Sequence, residues 1–207
     1  MRKSLSLTLV LALGLAVLLA AGCSSGGSSQ SSSDFSSQLA KAQSVTKAAD
    51  AAWAPINTQI TNDLNTMTTV MTGAIAGNAS AVNPQDVSGI TASLTQVGDQ
   101  VDAVKAQYQQ LLADPTLATL KGPDQYVVYA KSMVKALASY KALLTAGAAF
   151  LGQIEPMLVS GNIAGVQAAV NAALSSGQIT QLQTLMTTAQ DDLKAAQDIQ
   201  AQQKLSP

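Results

Sequence analysis

The sequence predicts an all-α protein: an antiparallel four-helix bundle with one additional short helix, preceded by a signal peptide and a flexible Ser/Gly linker. Three observations predict it. Apolar residues recur every three or four positions through most of the chain, which is the spacing of a helix that buries one stripe. No segment alternates apolar and polar over strand length. Prolines, glycines and asparagines interrupt the pattern only at intervals that leave room for helices of several turns.

The first element is a targeting segment, residues 1–22. Arg2 and Lys3 stand before an almost continuous apolar run from Leu5 to Ala20, and the small residues Ala20, Ala21 and Gly22 lead into Cys23. A positive start, a short apolar run and a small-residue cleavage site define a secretory signal. The competing reading is an uncleaved membrane helix, since Leu5 to Gly22 spans 18 residues. Residues 23–33 follow as a tether. Ser24 to Ser33 reads SSGGSSQSSS and has nothing to bury. Flexible-chain scaling gives it a reach of roughly 17–19 Å.

The helical domain occupies residues 34–207. Its first helix carries Phe35, Leu39, Ala42, Val45, Ala49, Trp53, Ile56, Ile60, Leu64, Met67, Met71 and Ile75 on one stripe. Pro55 predicts a kink or break within it, and Gly73, Gly77 and Asn78 predict its end. In the second helix Asn83 is placed to cap, Pro84 suits the first helical position, and Asp86 favours the positive end of the helix dipole. Val87, Leu94, Val101 and Tyr108 then repeat every seven residues, as do Ile90, Val97, Val104 and Leu111. That is the seam of bundle packing, and it stops near Asp114-Pro115.

The third helix starts near Gly122-Pro123-Asp124 and carries two similar registers. Tyr126, Met133, Tyr140, Gly147 and Ile154 form one; Ala130, Leu137, Leu144 and Leu151 form the other. Gly147 among alanines predicts a close helix neighbour, and Pro156 predicts the end. Ser160-Gly161-Asn162-Ile163 and Ser176-Gly177-Gln178-Ile179 each read as a glycine stop followed by a new start, which is repeated turn chemistry and not a duplicated domain. The short helix between them carries Ile163, Val166, Val170 and Leu174, and the last holds Ile179, Leu182, Met186, Ala189, Leu193, Ala196 and Ile199.

Leu19-Ala20-Ala21-Gly22-Cys23 resembles the lipobox of bacterial lipoproteins, with Ala20 where leucine is commonest. The resemblance implies that the Cys23 sulfur carries a diacylglyceryl group and that the chain is cleaved just before it. Two acyl chains satisfy the two-signal requirement for durable anchoring. The protein is then expected on the cell membrane or outer membrane, facing outside the cytoplasm; Ser24 replaces the Asp that favours inner-membrane retention in that class. The competing reading of Cys23 is a buried structural thiol. A single cysteine excludes an intramolecular disulfide.

Composition excludes several activities. After residue 22 the chain holds 9 Lys, no Arg and 12 acidic residues, a formal charge of 9 − 12 = −3, so nucleic acid is not an expected partner. There is no histidine, which removes imidazole acid–base chemistry and most zinc or haem ligation. Glu155 is the sole glutamate, too few for a di-iron bundle. No metal or cofactor is expected.

The remaining polar constellations are better read as surface. Ser44/Lys47 and Ser132/Lys135 match a Ser-x-x-Lys spacing, but the companion Lys-Thr-Gly is missing. Asp99 and Asp102 share a helix face with Lys105 three residues on, an ion-pair arrangement. Asp191 and Asp192 are adjacent and point apart, and Asp198 extends that solvated face. Lys131, Lys135 and Lys141 form a modest basic strip, read as solvated or as a contact for an anionic partner. Trp53, Tyr108, Tyr126 and Tyr140 fall on apolar stripes, where they fill the core or line a pocket for a small apolar ligand.

The expected function is non-enzymatic: a tethered interaction or structural module of the cell envelope. Its partners would be the membrane, through the lipid on Cys23, and an envelope protein. The alternative is a carrier or sensor that binds an apolar or amphiphilic ligand between helices. One chain supplies enough helices to close a bundle, so a monomer is expected.

Overall fold

The computed structural model describes residues 32–75 and 83–205. Among these residues every regular element is helical, and Ser32–Pro207 forms one compact unit. The order is α1 (Ser32–Ile75), α2 (Pro84–Leu112), α3 (Pro115–Thr119), α4 (Pro123–Val159), α5 (Ile163–Ser175) and α6 (Gln178–Gln202). Cys23 and the export segment lie outside the described residues, as do Gly77 and Asn78.

Local chemistry explains most boundaries. The Asn83 side chain accepts the Gln85 N–H at 3.0 Å, Pro84 opens α2 without a donor to lose, and Asp86 sits in the first turn. Asp114 repeats the device for α3, an element not foreseen from the sequence; its carboxylate accepts the Thr116 N–H at 3.0 Å. α4 ends in a left-handed turn at Gly161, φ +68°. There the Gly161 N–H reaches the Leu158 carbonyl at 3.0 Å and the Asn162 N–H reaches Met157 at 2.8 Å. Those bonds satisfy carbonyls that the helix end would otherwise leave bare. Gly177, φ +77°, turns the chain between α5 and α6 in the same region of backbone space.

The break allowed for at Pro55 does not occur, and the end expected at Pro156 comes three residues later. α1 runs through Pro55 as one 44-residue helix, and α4 continues past Pro156 to Val159. Both rings are exposed, so each costs one backbone hydrogen bond at a wetted face. Packing on either side offsets that loss: Trp53 and Ile56 flank Pro55, and Leu158 lies beyond Pro156, all buried. Gly73 likewise sits inside α1 and does not end it.

α4 is the central helix. It packs against α1, α2, α3, α5 and α6, its most extensive partners being α2 and α6. Among the described residues it is also the one helix long and apolar enough to cross a membrane, and much of that apolar surface meets other helices. The seams read from the sequence are buried. Val87, Val101, Tyr108, Ala130, Leu137, Leu151 and Ile154 have no measurable exposure. Phe35 and Leu174, also read as stripe residues, are exposed. Leu205 is tucked in behind α6 by a left-handed turn at Lys204, its N–H bonding the Gln200 carbonyl at 3.0 Å.

Candidate functional site

The aromatic residues singled out above are placed in the core. Trp53 of α1 lies against Tyr140 of α4, ring centroids 5.4 Å apart and tilted by 58°. Tyr108 of α2 meets Tyr129 of α4 edge-on at 5.9 Å. Tyr126 is buried on the same helix. These rings fill space between helices, as bulky groups do where alanine and glycine leave gaps.

The arrangement has a polar centre that sequence reasoning missed. Asp50 of α1 sits one position past the buried stripe residue Ala49 and is itself half-buried. Its Oδ1 accepts hydrogen bonds from the hydroxyls of Tyr108 and Tyr129, the latter at 2.8 Å. Its Oδ2 accepts from Nε2 of Gln200 at 3.1 Å. One carboxylate therefore joins α1, α2, α4 and α6. Burial pushes the Tyr108 hydroxyl well above its ordinary pKa, reinforced by Tyr129 and Asp50. Burial and the Asp50 charge do the same to Tyr129. Both phenols therefore stay un-ionised and donate, which is the state a carboxylate acceptor requires. Burial also raises Tyr140.

The chemistry of this cluster is that of a clamp. Its phenol donors are deep, Tyr108 at 0% and Tyr129 at 3% exposure, so neither hydroxyl is open to a substrate in solvent. Among the described residues, buried polar atoms of Gln38, Thr46, Gln107 and Gln203 have no protein hydrogen-bond partner. Thr46 lies one helical turn before Asp50 on α1, and Gln203 caps the C-terminus of α6 three residues after Gln200.

Other polar pairs stitch neighbouring helices. Asp63 of α1 accepts from Gln59 at 2.8 Å and from Ser93 of α2 at 2.6 Å. Lys41 of α1 meets Asp114 at 2.8 Å, which together with the Thr116 hydroxyl holds that carboxyl below its usual range. Lys105 pairs with Asp102 at 2.7 Å, the i,i+3 contact expected from the spacing. Lys141 of α4 adds a bridge to Asp102 at 3.0 Å and Asp99 at 3.2 Å. Hydrogen bonds from Lys105 and Lys141 lower the Asp102 pKa.

Two surface readings are corrected. Lys135 is not part of a free basic strip: it pairs with Asp192 of α6 at 2.8 Å, and Lys141 is engaged by the Asp99/Asp102 face. Asp192 is not solvated either. It is buried beneath Lys135 and accepts from Ser139 at 2.7 Å. Of the Ser-x-x-Lys pairs, Lys135 is therefore committed to Asp192, while Ser44 and Lys47 are exposed. Among the described residues no group of three or more carboxylate, histidine or cysteine side chains is placed to hold a metal.

A second feature, also absent from the sequence reading, is a hollow between α1 and α6. Met67 and Met71 line it from α1, Leu143 from α4, and Ile179, Leu182 and Met186 from α6. None of the aromatic residues expected to line a pocket borders this hollow. Compared with protein-family models, curated proteins and solved structures, the chain gives no significant match.

Proposed function

We propose that the chain is a lipid-tethered helical module of the cell envelope that acts by interaction or as a structural element, without catalysis. The reading rests on the lipobox-like segment ending at Cys23, and one structural observation supports it most. In the compact helical unit Ser32–Pro207 one carboxylate, that of Asp50, ties α1, α2, α4 and α6 together through Tyr108, Tyr129 and Gln200, as suits a structural body. On this reading the Ser/Gly tether read from the sequence holds that body within a short reach of the bilayer.

We read the four long helices as an up-and-down antiparallel bundle. In support, Asp50, Asp63 and Lys41 of α1 meet Tyr108, Ser93 and Asp114 in reversed order. Lys141 and Tyr129 of α4 meet Asp99 and Tyr108 in the same reversed sense. Asp192 of α6 opposes Lys135, while Leu143 shares the hollow with Ile179 and Leu182. The carboxylate shared by all four helices favours a single register, since a slip of either α2 or α4 would strand a buried phenol. A fixed register suits a scaffold.

Replacing the anchor tests the reading. The Cys23→Ser chain is expected to lose incorporation of labelled fatty acid and to leave the membrane fraction. Retention by both measures would contradict it.

A further inference from the structure

Helices α1 and α6 are bonded through Asp50 and Gln200, but their backbones barely approach each other elsewhere. Toward the start of α6 the gap between them opens into a hollow of about 190 Å³, floored by Leu143 of α4. Its lining is mostly apolar and contains no charged side chain. Thr68, Thr72 and Gln183 are its polar border; the two hydroxyls are already engaged, Thr68 donating to the Leu64 carbonyl and Thr72 to the Thr68 carbonyl, each at 2.8 Å, and Gln183 lies at the exposed rim.

Methionine is concentrated here. Three of the chain's six, Met67, Met71 and Met186, border this one space. The Met67 sulfur lies over Gly147, where an added Cβ would come within 3.2 Å of it. Methionine is unbranched and polarizable, adapts its shape to a guest and contacts aromatic ring edges favourably through sulfur. The volume adds a size limit. An apolar protein cavity of about 150 Å³ stays dry and takes up benzene, whereas drug-sized ligands need roughly 300 Å³ or more. A space of about 190 Å³ therefore matches one ring with a small substituent.

We propose that this hollow is a binding site for a compact, uncharged, single-ring aromatic molecule, held by methionine thioethers between α1 and α6. The site is separate from the Trp53/Tyr140 and Tyr108/Tyr129 pairs, and it does not depend on the lipid anchor.

The test is a titration of the full chain, labelled with carbon-13 at its methionine methyls, with toluene and separately with 1-hexanol. Toluene is expected to give saturable shifts at Met67, Met71 and Met186, with Met133 and Met157 unmoved. It is also expected to bind at least fivefold more tightly than the alkyl alcohol. Met186→Trp, which fills the hollow from a half-buried position, is expected to weaken toluene at least tenfold with helix content unchanged. The wild-type titration decides the question even if that variant folds poorly. Absence of saturation at the three methyls, equal shifts at Met133 and Met157, or equal affinity for hexanol would overturn the proposal.

Discussion

Truncating Asp50 to alanine should be the most damaging single change among the polar residues. The substitution removes three acceptor contacts, to the Tyr108 and Tyr129 hydroxyls and the Gln200 amide. The two phenols are almost fully buried, so water cannot replace the carboxylate, and each stranded donor costs about 1–3 kcal/mol. Gln200 is half-exposed and rehydrates, adding little. Against this stands the recovered desolvation of the lost charge, which is incomplete because Asp50 is only half-buried. The net expectation is a loss of about 2–4 kcal/mol. Tyr108→Phe and Tyr129→Phe should each cost about 1–2 kcal/mol, since the carboxylate keeps its other partners. The double Phe variant should exceed the sum by about 1 kcal/mol, because the carboxylate then keeps only Gln200. Urea unfolding at neutral pH, read as the midpoint shift at constant m-value, measures all four. An alanine variant within about 1 kcal/mol of wild type, together with strictly additive Phe variants, would refute the clamp.

Glycine replacements should separate backbone from packing. Gly89 and Gly152 lie inside α2 and α4 with no atom within 4 Å of an added Cβ, so alanine should stabilise by about 0.5–1 kcal/mol each. Gly177 holds φ +77°, so alanine there should cost about 1–2 kcal/mol; melting temperatures that all move the same way would contradict this account. A pH effect follows from Asp192, whose carboxyl is held below the usual range by the Lys135 ammonium and then by the Ser139 hydroxyl. Its folded pKa lies below the unfolded value of about 3.9, so its contribution is present above about pH 4 and lost as pH falls through the folded value. Lys135 is largely exposed, which keeps the contribution to about 1 kcal/mol or less. Asp192→Asn should be less stable than wild type at pH 7, with the gap narrowing as pH falls below about 4; a gap that stays constant as the pH is lowered would argue against the pairing.

The heptad pairs of α2 and α4 were legible because a helix meets its neighbours along one stripe. The residues that repeat every seven positions are therefore the ones that disappear from water. The Asn83 cap was legible for the same local reason, since it acts within two residues of itself, whereas Asp114-Pro115 was read only as the end of α2. Asp50 was not legible. A charged residue beside Ala49 at the edge of a stripe looks like a wetted flank, and nothing in its neighbourhood announces two phenols from helices 58 and 79 residues away. Tyr129, three residues after Tyr126 and thus on the same side of α4, was the available hint. Asp192 was misplaced for a related reason. Its burial depends on how α6 turns toward Lys135 and Ser139, which the spacing of Asp191 and Asp192 does not encode.

By itself the sequence determined that the described residues are helical, where most of their helices start, which faces they bury, and which side-chain types are missing from the chain. Each of these depends on periodicity, local capping or residue inventory, and all act over a few positions. Only the tertiary structure decided that Pro55 and Pro156 are carried inside helices, because burial of distant partners outweighs one missing hydrogen bond. It also decided where polar groups converge and where space remains. The Asp50 clamp and the methionine-lined hollow both arise from the relative placement of α1 and α6, two helices more than a hundred residues apart along the chain.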